Sequence, residues 1–380
     1  MTSSSRRSAL KITLLAALAA SFAGCDKPTG LPELAAARAA YEVRDLKKAE
    51  KLLEKSLSYN GANVDALVSY AMVKVDLGEI PLAEEAIGRA AALAGDDIDV
   101  RLLGAQIAYH LNDYPRAYKA YGQIAADESL EARLRSRGFA GAGVVELAGN
   151  EIDLARISFL KAIRLDRKNA AAWYHLGLIY QGLGYYESAL EQFNIFVRLE
   201  ELAGRRVQDV QRKTIPIIQE AIARKASERP GAANRDSAAA SKALAEAEAA
   251  WKRGQYKTAK LRYQEALTAD PLSYPAAVGL AKAWEKTDAT AAGQKKVFEY
   301  YKIACSVKPS AVSTFLTTGE LAIKQGHYAT AVELYSRAMA ADPVNISAID
   351  GLIRALRKVG GKADVANAYQ AYRDLITKKR

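Results

Sequence analysis

The clearest structural signal in the chain lies in residues 170–203, which read AAAWYHLGLIYQGLGYYESALEQFNIFVRLEELA. Alanine and other good helix formers fill both halves of this stretch, and neither half contains proline or a run of β-branched residues. Gly184 stands between the halves, and glycine readily adopts the left-handed backbone conformation that ends a helix. The stretch therefore predicts two antiparallel helices joined by a tight turn at Gly184-Tyr185-Tyr186.

The same spacing recurs along the chain. Turns that match the one at Gly184 occur at Asn112, Gly254 and Gly326, each with a tyrosine two residues further on, and a turn at Asn150 differs only in lacking that tyrosine. Each of the five turns is followed by an alanine and, four residues later, by an aromatic residue: Ala117 and Tyr121, Ala155 and Phe159, Ala189 and Phe193, Ala259 and Tyr263, and Ala331 and Tyr335. This periodicity predicts a tandem array of helical hairpins.

The pattern also predicts how the hairpins turn and pack. Left-handed residues are expected at Gly78, Asn112, Asn150, Gly184, Gly254, Gly326 and Gly360. Small residues on the first helices allow close approach of the second helices: Ala71, Ala105, Gly143, Gly177, Ala247 and Gly319. Large side chains then fill the space between hairpins, and stacking on the neighbouring hairpin stabilises each unit.

This pattern resembles the tetratricopeptide repeat, whose period is about 34 residues. Residues 170–203 match its signature at Trp173, Leu176, Gly177, Tyr180, Ala189 and Phe193. Repeats begin near residues 31, 64, 98, 136 and 170 and, after a gap, near residues 240, 274, 312 and 346. The resemblance implies an all-α fold, a right-handed superhelical solenoid of about nine hairpins in two blocks.

The expected domain organisation follows from the gap between the blocks. Residues 30–203 form an N-terminal block of five repeats, and residues 240–379 form a C-terminal block of four. Residues 204–239 are an atypical helical segment followed by a linker, in which Pro216 is compatible with either a new helix or a kink. Extra residues at 287–296 are expected to lengthen a turn.

The N-terminus resembles an export signal. Residues 1–24 combine a basic start with the apolar run ITLLAALAASFAG, which is too short for a permanent membrane span. The run ends in Phe22-Ala23-Gly24-Cys25, which resembles a bacterial lipoprotein box. This resemblance implies a cleaved signal peptide, lipid attachment at Cys25, a tether at residues 25–29, and a periplasm-facing location in the bacterial envelope. Ordinary cleavage beside an incidental cysteine is the alternative, and the export route and the membrane stay open.

No motif in the sequence predicts catalysis, a cofactor or a metal site. His110, His175 and His327 fall in three different repeats, where His110 and His327 are expected near helix ends and His175 is expected to pack. The glycines of residues 138–143 lie in a predicted helix and do not follow a strand, so they do not indicate a phosphate loop. Cys305 is expected to be a small buried side chain. We therefore expect a protein without enzymatic activity.

The resemblance also implies where a partner binds, because the first helices of such repeats line a concave groove. The implied groove residues are Leu34, Val68, Met72, Leu102, Gln106, Tyr109, Tyr174, Leu178, Glu248, Lys282, Leu316, Glu320 and Arg354. The N-terminal part of this groove is mainly apolar and the C-terminal part is mixed in charge. The Lys/Asn clamp of chaperone-binding relatives is absent, so a helix or an extended segment is the expected ligand.

The expected function is that of a scaffold for one or more envelope proteins, with membrane contact through the N-terminal lipid and no nucleic-acid partner. The formal net charge of +11 supports an alternative, in which basic helices bind an anionic envelope polymer such as peptidoglycan. Basic residues are most frequent in residues 204–235 and 354–380, but acidic and basic residues interleave through most of the chain. The sequence predicts neither the identity of the partner nor the oligomeric state.

Overall fold

The structure is a computed structural model that describes residues 32–228 and 235–378. Cys25, the predicted signal peptide and the whole of the predicted tether lie outside the described residues. Within those two ranges the chain forms nineteen α-helices and one short π-helical segment, Val210–Thr214, and it forms no strand. The predicted all-α fold is therefore confirmed.

The helices follow one another in nine hairpins, which agrees with the predicted repeat count. The helices of the first four hairpins are α1 Pro32–Glu42, α2 Leu46–Tyr59, α3 Val64–Asp76, α4 Ile80–Ala94, α5 Ile98–His110, α6 Tyr114–Ala126, α7 Ala132–Ala148 and α8 Ile152–Leu165. The fifth hairpin consists of α9 Ala170–Gly182 and α10 Tyr186–Leu202, and the single helix α11 Ile215–Ser227 comes next. The last four hairpins comprise α12 Ser237–Lys252, α13 Tyr256–Ala269, α14 Tyr274–Thr287, α15 Ala291–Val307, α16 Val312–Lys324, α17 Tyr328–Ala341, α18 Ile346–Lys358 and α19 Ala363–Thr377.

The chain divides into two compact units, each described here by itself. The first unit contains the described residues up to 176 together with residues 198–203. The second unit contains residues 177–197 and the described residues from 204 onward. Among residues 32–228 and 235–378, no helix combines the length and the hydropathy that a membrane span requires.

Local sequence explains where the helices begin and end. Side chains cap several helix starts, as where Asn63 Oδ1 accepts a hydrogen bond of 3.1 Å from the Ala66 amide. The turns have the expected left-handed residues, listed with their φ angles as Gly78 79°, Asn112 62°, Asn150 61°, Gly184 73°, Gly254 75° and Gly326 76°. In the last turn the left-handed residue is Gly361 (φ 72°) rather than the predicted Gly360, because this turn is one residue longer: Gly361 comes three residues after the helix end at Lys358, whereas Gly326 comes two residues after Lys324.

Glycines allow aromatic rings to fill the space between helices, as predicted. A Cβ atom on Gly143 would lie 2.8 Å from the Phe159 ring, and one on Gly319 would lie 2.7 Å from the Tyr335 ring. The other edge of the Tyr335 ring contacts Gly351 of the next hairpin. Tyr335 is fully buried, so one aromatic side chain joins two successive hairpins.

Two segments were irregular in the sequence, residues 287–296 and the segment around Pro216, and the structure shows the conformation of each. The extra residues at 287–296 do not lengthen the turn, since only residues 288–290 separate α14 from α15; they extend α15 instead. Pro216 lies in the first turn of α11, and the π-helical segment Val210–Thr214 runs directly into that helix, since Thr214 and Ile215 both have helical backbone angles. The chain therefore does not start a separate helix at Pro216. Residues 237–239 of the predicted linker already belong to α12.

Candidate functional site

Most of the implied groove residues of the first unit are buried. Their exposed fractions are Leu34 0%, Val68 8%, Met72 7%, Leu102 3%, Gln106 1% and Tyr109 8%. Neighbouring first helices contact one another directly, α1 with α3, α3 with α5 and α5 with α7. The side chains between them therefore pack against the chain itself, and their contact with a partner stays a prediction.

Two further implied groove residues lie near the boundary between the units. Tyr174 belongs to the first unit, is half-buried, and packs edge-on against His175 with ring centroids 5.5 Å apart. Leu178 belongs to the second unit and is also half-buried. Each therefore keeps part of its surface accessible.

The second unit exposes the corresponding positions of its first helices. Glu248, Lys282, Glu320 and Arg354 stand at one equivalent position in α12, α14, α16 and α18, so the sign of the charge alternates from hairpin to hairpin. Glu248, Lys282 and Arg354 are exposed, and Glu320 keeps 43% of its side chain exposed. The structure thus presents a charged strip where the first unit has a packed apolar one.

One pair of this charged strip is held in place by hydrogen bonds. Arg354 forms an ion pair with Glu320, and the Tyr335 hydroxyl donates a hydrogen bond of 2.7 Å to Glu320 Oε1. Partial burial disfavours the ionised carboxylate, but the hydrogen bonds from Arg354 and Tyr335 outweigh it and hold the pKa of Glu320 below its usual value. Lys282 forms no ion pair or hydrogen bond with any residue that the structure describes.

Apolar side chains flank the charged strip. Leu244, Val278, Leu316 and Ile323 are half-buried, as is Trp251, whose ring packs edge-on against Tyr256 at 4.9 Å. Of these residues, Leu316 belongs to the implied groove. The second unit therefore offers charged and apolar contacts side by side, which suits an amphipathic partner segment.

A cavity of about 500 Å³ lies at the last hairpin, where α18 and α19 meet α16. Its lining residues are Glu320, Ser347, Asp350, Ile353, Arg354, Arg357 and Gln370. Arg373 Nη2 donates to Asp350 Oδ2 at 3.3 Å, whereas Arg357 pairs with no acidic residue of the described chain. Gln370 was not predicted, because it lies on a second helix, and a rule that considers only first helices overlooks it.

The first unit contains buried titratable groups of its own. Glu146 accepts a hydrogen bond of 3.3 Å from the Tyr118 hydroxyl, and burial raises the pKa of Glu146 to about 7. His175 is fully buried and stacks on Phe159 with ring centroids 5.1 Å apart, and burial lowers the pKa of His175 to about 3. His175 therefore packs as predicted and is uncharged at neutral pH.

The structure gives no sign of metal or thiol chemistry in the described ranges. No three His, Cys, Asp or Glu side chains of the residues at 32–228 and 235–378 gather closely enough to hold a metal ion. Cys305 is buried beside Thr318, its Sγ 3.4 Å from Oγ1, and burial raises the pKa of the thiol to about 11. A protonated, buried thiol is inert, so Cys305 is a packing residue as predicted.

Comparisons with known protein families agree with the repeat pattern. Models described as "Tetratricopeptide repeat" match residues 40–107, 170–200 and 244–306, and one described as "TPR repeat" matches residues 143–184. A model described as "Bacterial transcriptional activator domain" matches residues 301–379, a range that includes the C-terminal part of α15 and the hairpins α16–α17 and α18–α19. A search of curated proteins finds no match for this chain.

Several solved structures are similar to this chain. MamA is 20% identical with a TM-score of 0.34, over 44% of this chain and 96% of MamA. PilF of Pseudomonas aeruginosa is 18% identical with a TM-score of 0.38, over 64% of this chain and 93% of PilF. A chain of the APC/C hetero-tetramer Cut9-Hcn1 is 15% identical with a TM-score of 0.34, over 90% of this chain and 78% of its own.

Proposed function

We propose that this chain is a non-enzymatic scaffold that binds a partner protein along the inner face of its second unit, the face of α12, α14, α16 and α18 that carries the charged strip. The chain belongs to the tetratricopeptide-repeat family, whose members generally bind other proteins. The charged strip Glu248, Lys282, Glu320 and Arg354 carries this proposal. An exposed strip that repeats once per hairpin offers a partner one contact from each of α12, α14, α16 and α18.

The geometry favours an amphipathic helix as the bound segment. Packed helices lie about 8–10 Å apart, and residues seven apart on a helix lie about 10.5 Å apart along its axis. A partner helix that crosses the four first helices therefore presents one side chain of the same face to each of them. Opposite charges would meet Lys282 and Glu248, while apolar residues would contact Leu244, Leu316 and Ile323.

Site-specific photo-crosslinking in cells tests this proposal. A photoreactive amino acid in place of Lys282 or Arg357 is expected to capture the same protein partner from both positions. The matched control replaces Lys302, an exposed residue on the second helix α15, and is expected to capture none. Equal capture from Lys302, or no protein captured from the inner face, would contradict the proposal.

We also propose that the scaffold is anchored in the bacterial envelope through a lipid on Cys25. The lipoprotein-like residues 22–25 support this proposal, since a thioether-linked lipid requires the cysteine thiolate. Metabolic labelling with a fatty-acid analogue is expected to label the wild-type protein and to leave the Cys25→Ala variant unlabelled. An unlabelled wild-type protein would remove the anchor and leave the inner-face proposal untouched.

A further inference from the structure

The second unit carries a row of lysines at one edge. The four first helices α12, α14, α16 and α18 each have a basic residue in the last turn, and the row consists of Lys252, Lys286, Lys324 and Lys358. Each second helix contacts the first helix of the next hairpin, so the hairpins repeat in one orientation and all four first helices end at the same edge. We call these four residues the lysine edge.

All four side chains are exposed and available. None of them forms an ion pair or a hydrogen bond with another residue at 32–228 or 235–378. Arg253 is exposed at the same edge and adds to its charge. The acidic residues near this edge are Glu285, Asp288 and Asp364, and Glu320 lies one turn before Lys324 on α16. Asp288 already accepts a hydrogen bond of 2.6 Å from Thr290. The edge is therefore a strip of excess positive charge.

A general preference of helices does not account for this row. A lysine near a helix C-terminus interacts favourably with the negative end of the helix dipole, and this interaction is enough to explain any one of the four lysines. The same preference applies to the first unit, where the equivalent residues are Glu42, Asp76, His110 and Ala148. The one basic residue that the first unit places in such a turn besides His110 is Lys74, which is buried and paired with Glu50 and Glu79. The lysine edge is therefore specific to the second unit.

We propose that the lysine edge lies against an anionic phospholipid surface. Lysine is a hydrated point charge on a flexible stem, and it lacks the rigid fork by which arginine reads a fixed carboxylate or phosphate. A folded acidic partner holds its charges at fixed positions, whereas the headgroups of a fluid bilayer move to meet a row of cations. The half-buried Trp251 beside Lys252 is of the residue type enriched at membrane interfaces.

This proposal goes beyond the partner-binding strip and uses different residues. The lysine edge is at the ends of the first helices, while the charged strip lies along their inner face. A scaffold held on a membrane by this edge keeps Glu248, Lys282, Glu320 and Arg354 available to a partner protein. Failure of one proposal therefore leaves the other standing.

Vesicle co-sedimentation of the full chain tests the proposal. The wild type is expected to bind vesicles that mix phosphatidylcholine with phosphatidylglycerol more tightly than vesicles of phosphatidylcholine alone, and to be released by high salt. Because each basic residue at the surface strengthens binding roughly fivefold, replacing all four residues of the lysine edge by glutamine is expected to weaken it by at least about tenfold.

The matched control replaces Lys48, Lys51, Lys119 and Lys168 by glutamine, which removes the same charge from exposed lysines of the first unit. It is expected to weaken binding by less than about twofold. All three proteins carry Cys25→Ala, so that a lipid on Cys25 cannot saturate vesicle binding and hide a difference between them. Binding to vesicles of phosphatidylcholine alone measures the remaining affinity of the N-terminal segment, which is subtracted for each protein. Circular dichroism checks the helical content, and four single Lys→Gln variants, each weaker by up to about fivefold, keep the test decisive if the quadruple variant loses helix.

Three outcomes would overturn the proposal. The first is binding by the edge variant that equals wild-type binding, and the second is an equal loss in the edge variant and the control. The third is an edge variant that keeps its vesicle binding but no longer binds polyphosphate, which would assign the edge to a soluble polyanion.

Discussion

The two units build their inner faces from the same helical hairpins but from different side chains. At one equivalent position of the first helix, the first unit has Met72 and Gln106, which are buried, whereas the second has Lys282 and Arg354, which are exposed. An apolar side chain such as Met72 packs against adjacent helices and excludes water, and a neutral amide such as Gln106 is buried at a lower cost than a charge, while charged side chains remain solvated. One backbone repeat therefore forms either a core or a binding surface, depending on the residue at this position.

A charge placed in the first unit is expected to have the largest effect. Met72 is 7% exposed within the core of that unit, so Met72→Glu buries a carboxylate without a partner. We expect the free energy of unfolding to fall by about 3–5 kcal/mol. Urea unfolding followed by circular dichroism measures this change.

Two controls sharpen this test. Met72→Leu is expected to cost less than about 1.5 kcal/mol, because it keeps the side chain apolar and of similar volume. Lys282→Met in the second unit is expected to change the free energy of unfolding by less than about 0.5 kcal/mol. Equal destabilisation by Met72→Glu and Lys282→Met would contradict the difference between the two faces.

The buried histidine predicts a loss of stability in acid. Burial lowers the pKa of His175 from 6.5 to about 3. Between pH 6.5 and pH 3 the histidine is therefore protonated in the unfolded state and neutral in the folded state. Its stabilising effect is therefore complete above pH 6.5 and declines toward pH 3. At pH 4 we expect wild type to have lost about 3 kcal/mol through this group, a loss that His175→Phe avoids.

Chemical unfolding of both proteins at pH 4 and pH 7 checks this expectation. The His175→Phe ring replaces one that stacks on Phe159, so packing is largely retained. Parallel pH dependences of the two proteins would show that His175 titrates normally.

The buried carboxyl group predicts a change of opposite sign. The pKa of Glu146 is raised from 4.5 to about 7, so the unfolded state ionises before the folded state does. The free energy of unfolding therefore decreases as the pH rises from 4.5 through 7. We expect Glu146→Gln to be more stable than wild type at pH 8, by about 2 kcal/mol, and the advantage to shrink toward pH 5.

Thermal unfolding across this pH range measures the advantage of Glu146→Gln. Glu320→Gln is the matched control, because Glu320 in the second unit has a lowered pKa and is partly exposed. It is not expected to gain stability at pH 8, and a gain equal to that of Glu146→Gln would contradict the burial argument.

The smallest effect is expected for the ion pair of the charged strip. Glu320 and Arg354 keep 43% and 54% of their side chains exposed, so solvent screens their attraction. A double-mutant cycle with Glu320→Gln and Arg354→Gln is expected to give a coupling energy of about 0.2–1 kcal/mol that decreases with salt. A coupling above about 3 kcal/mol would mean that the strip is a structural core like that of the first unit.

Much of the fold could be predicted because its signals are local. Gly184 and the aromatic residue Phe193 stand at fixed distances along one hairpin, and a helix, its turn and its packing partner follow from such distances. Two predictions were wrong, the longer turn at residues 287–296 and the left-handed residue at Gly360, and both concern where extra residues are accommodated in an irregular repeat. Whether the extra residues at 287–296 enter a turn or a helix depends on what α15 packs against, which local spacing does not reveal.

The candidate site was predicted less completely. The repeat pattern identified the residues that face inward in both units, including Met72 and Lys282, but it treats them alike. Burial depends on how closely the neighbouring first helix approaches and on which side chain it contributes. The sequence analysis did not predict the row formed by Lys252, Lys286, Lys324 and Lys358, although a comparison of the last turns of the first helices α12, α14, α16 and α18 reveals it.

The sequence by itself determined the all-α hairpin repeat, the turns and the residues that join neighbouring hairpins, because each depends on side-chain size and backbone freedom within a few residues. Only the tertiary structure decided that Leu34 and Met72 are core residues and that Glu248 and Lys282 are surface residues. Exposure is a property of the space between neighbouring elements, and that space is defined only when the hairpins have stacked.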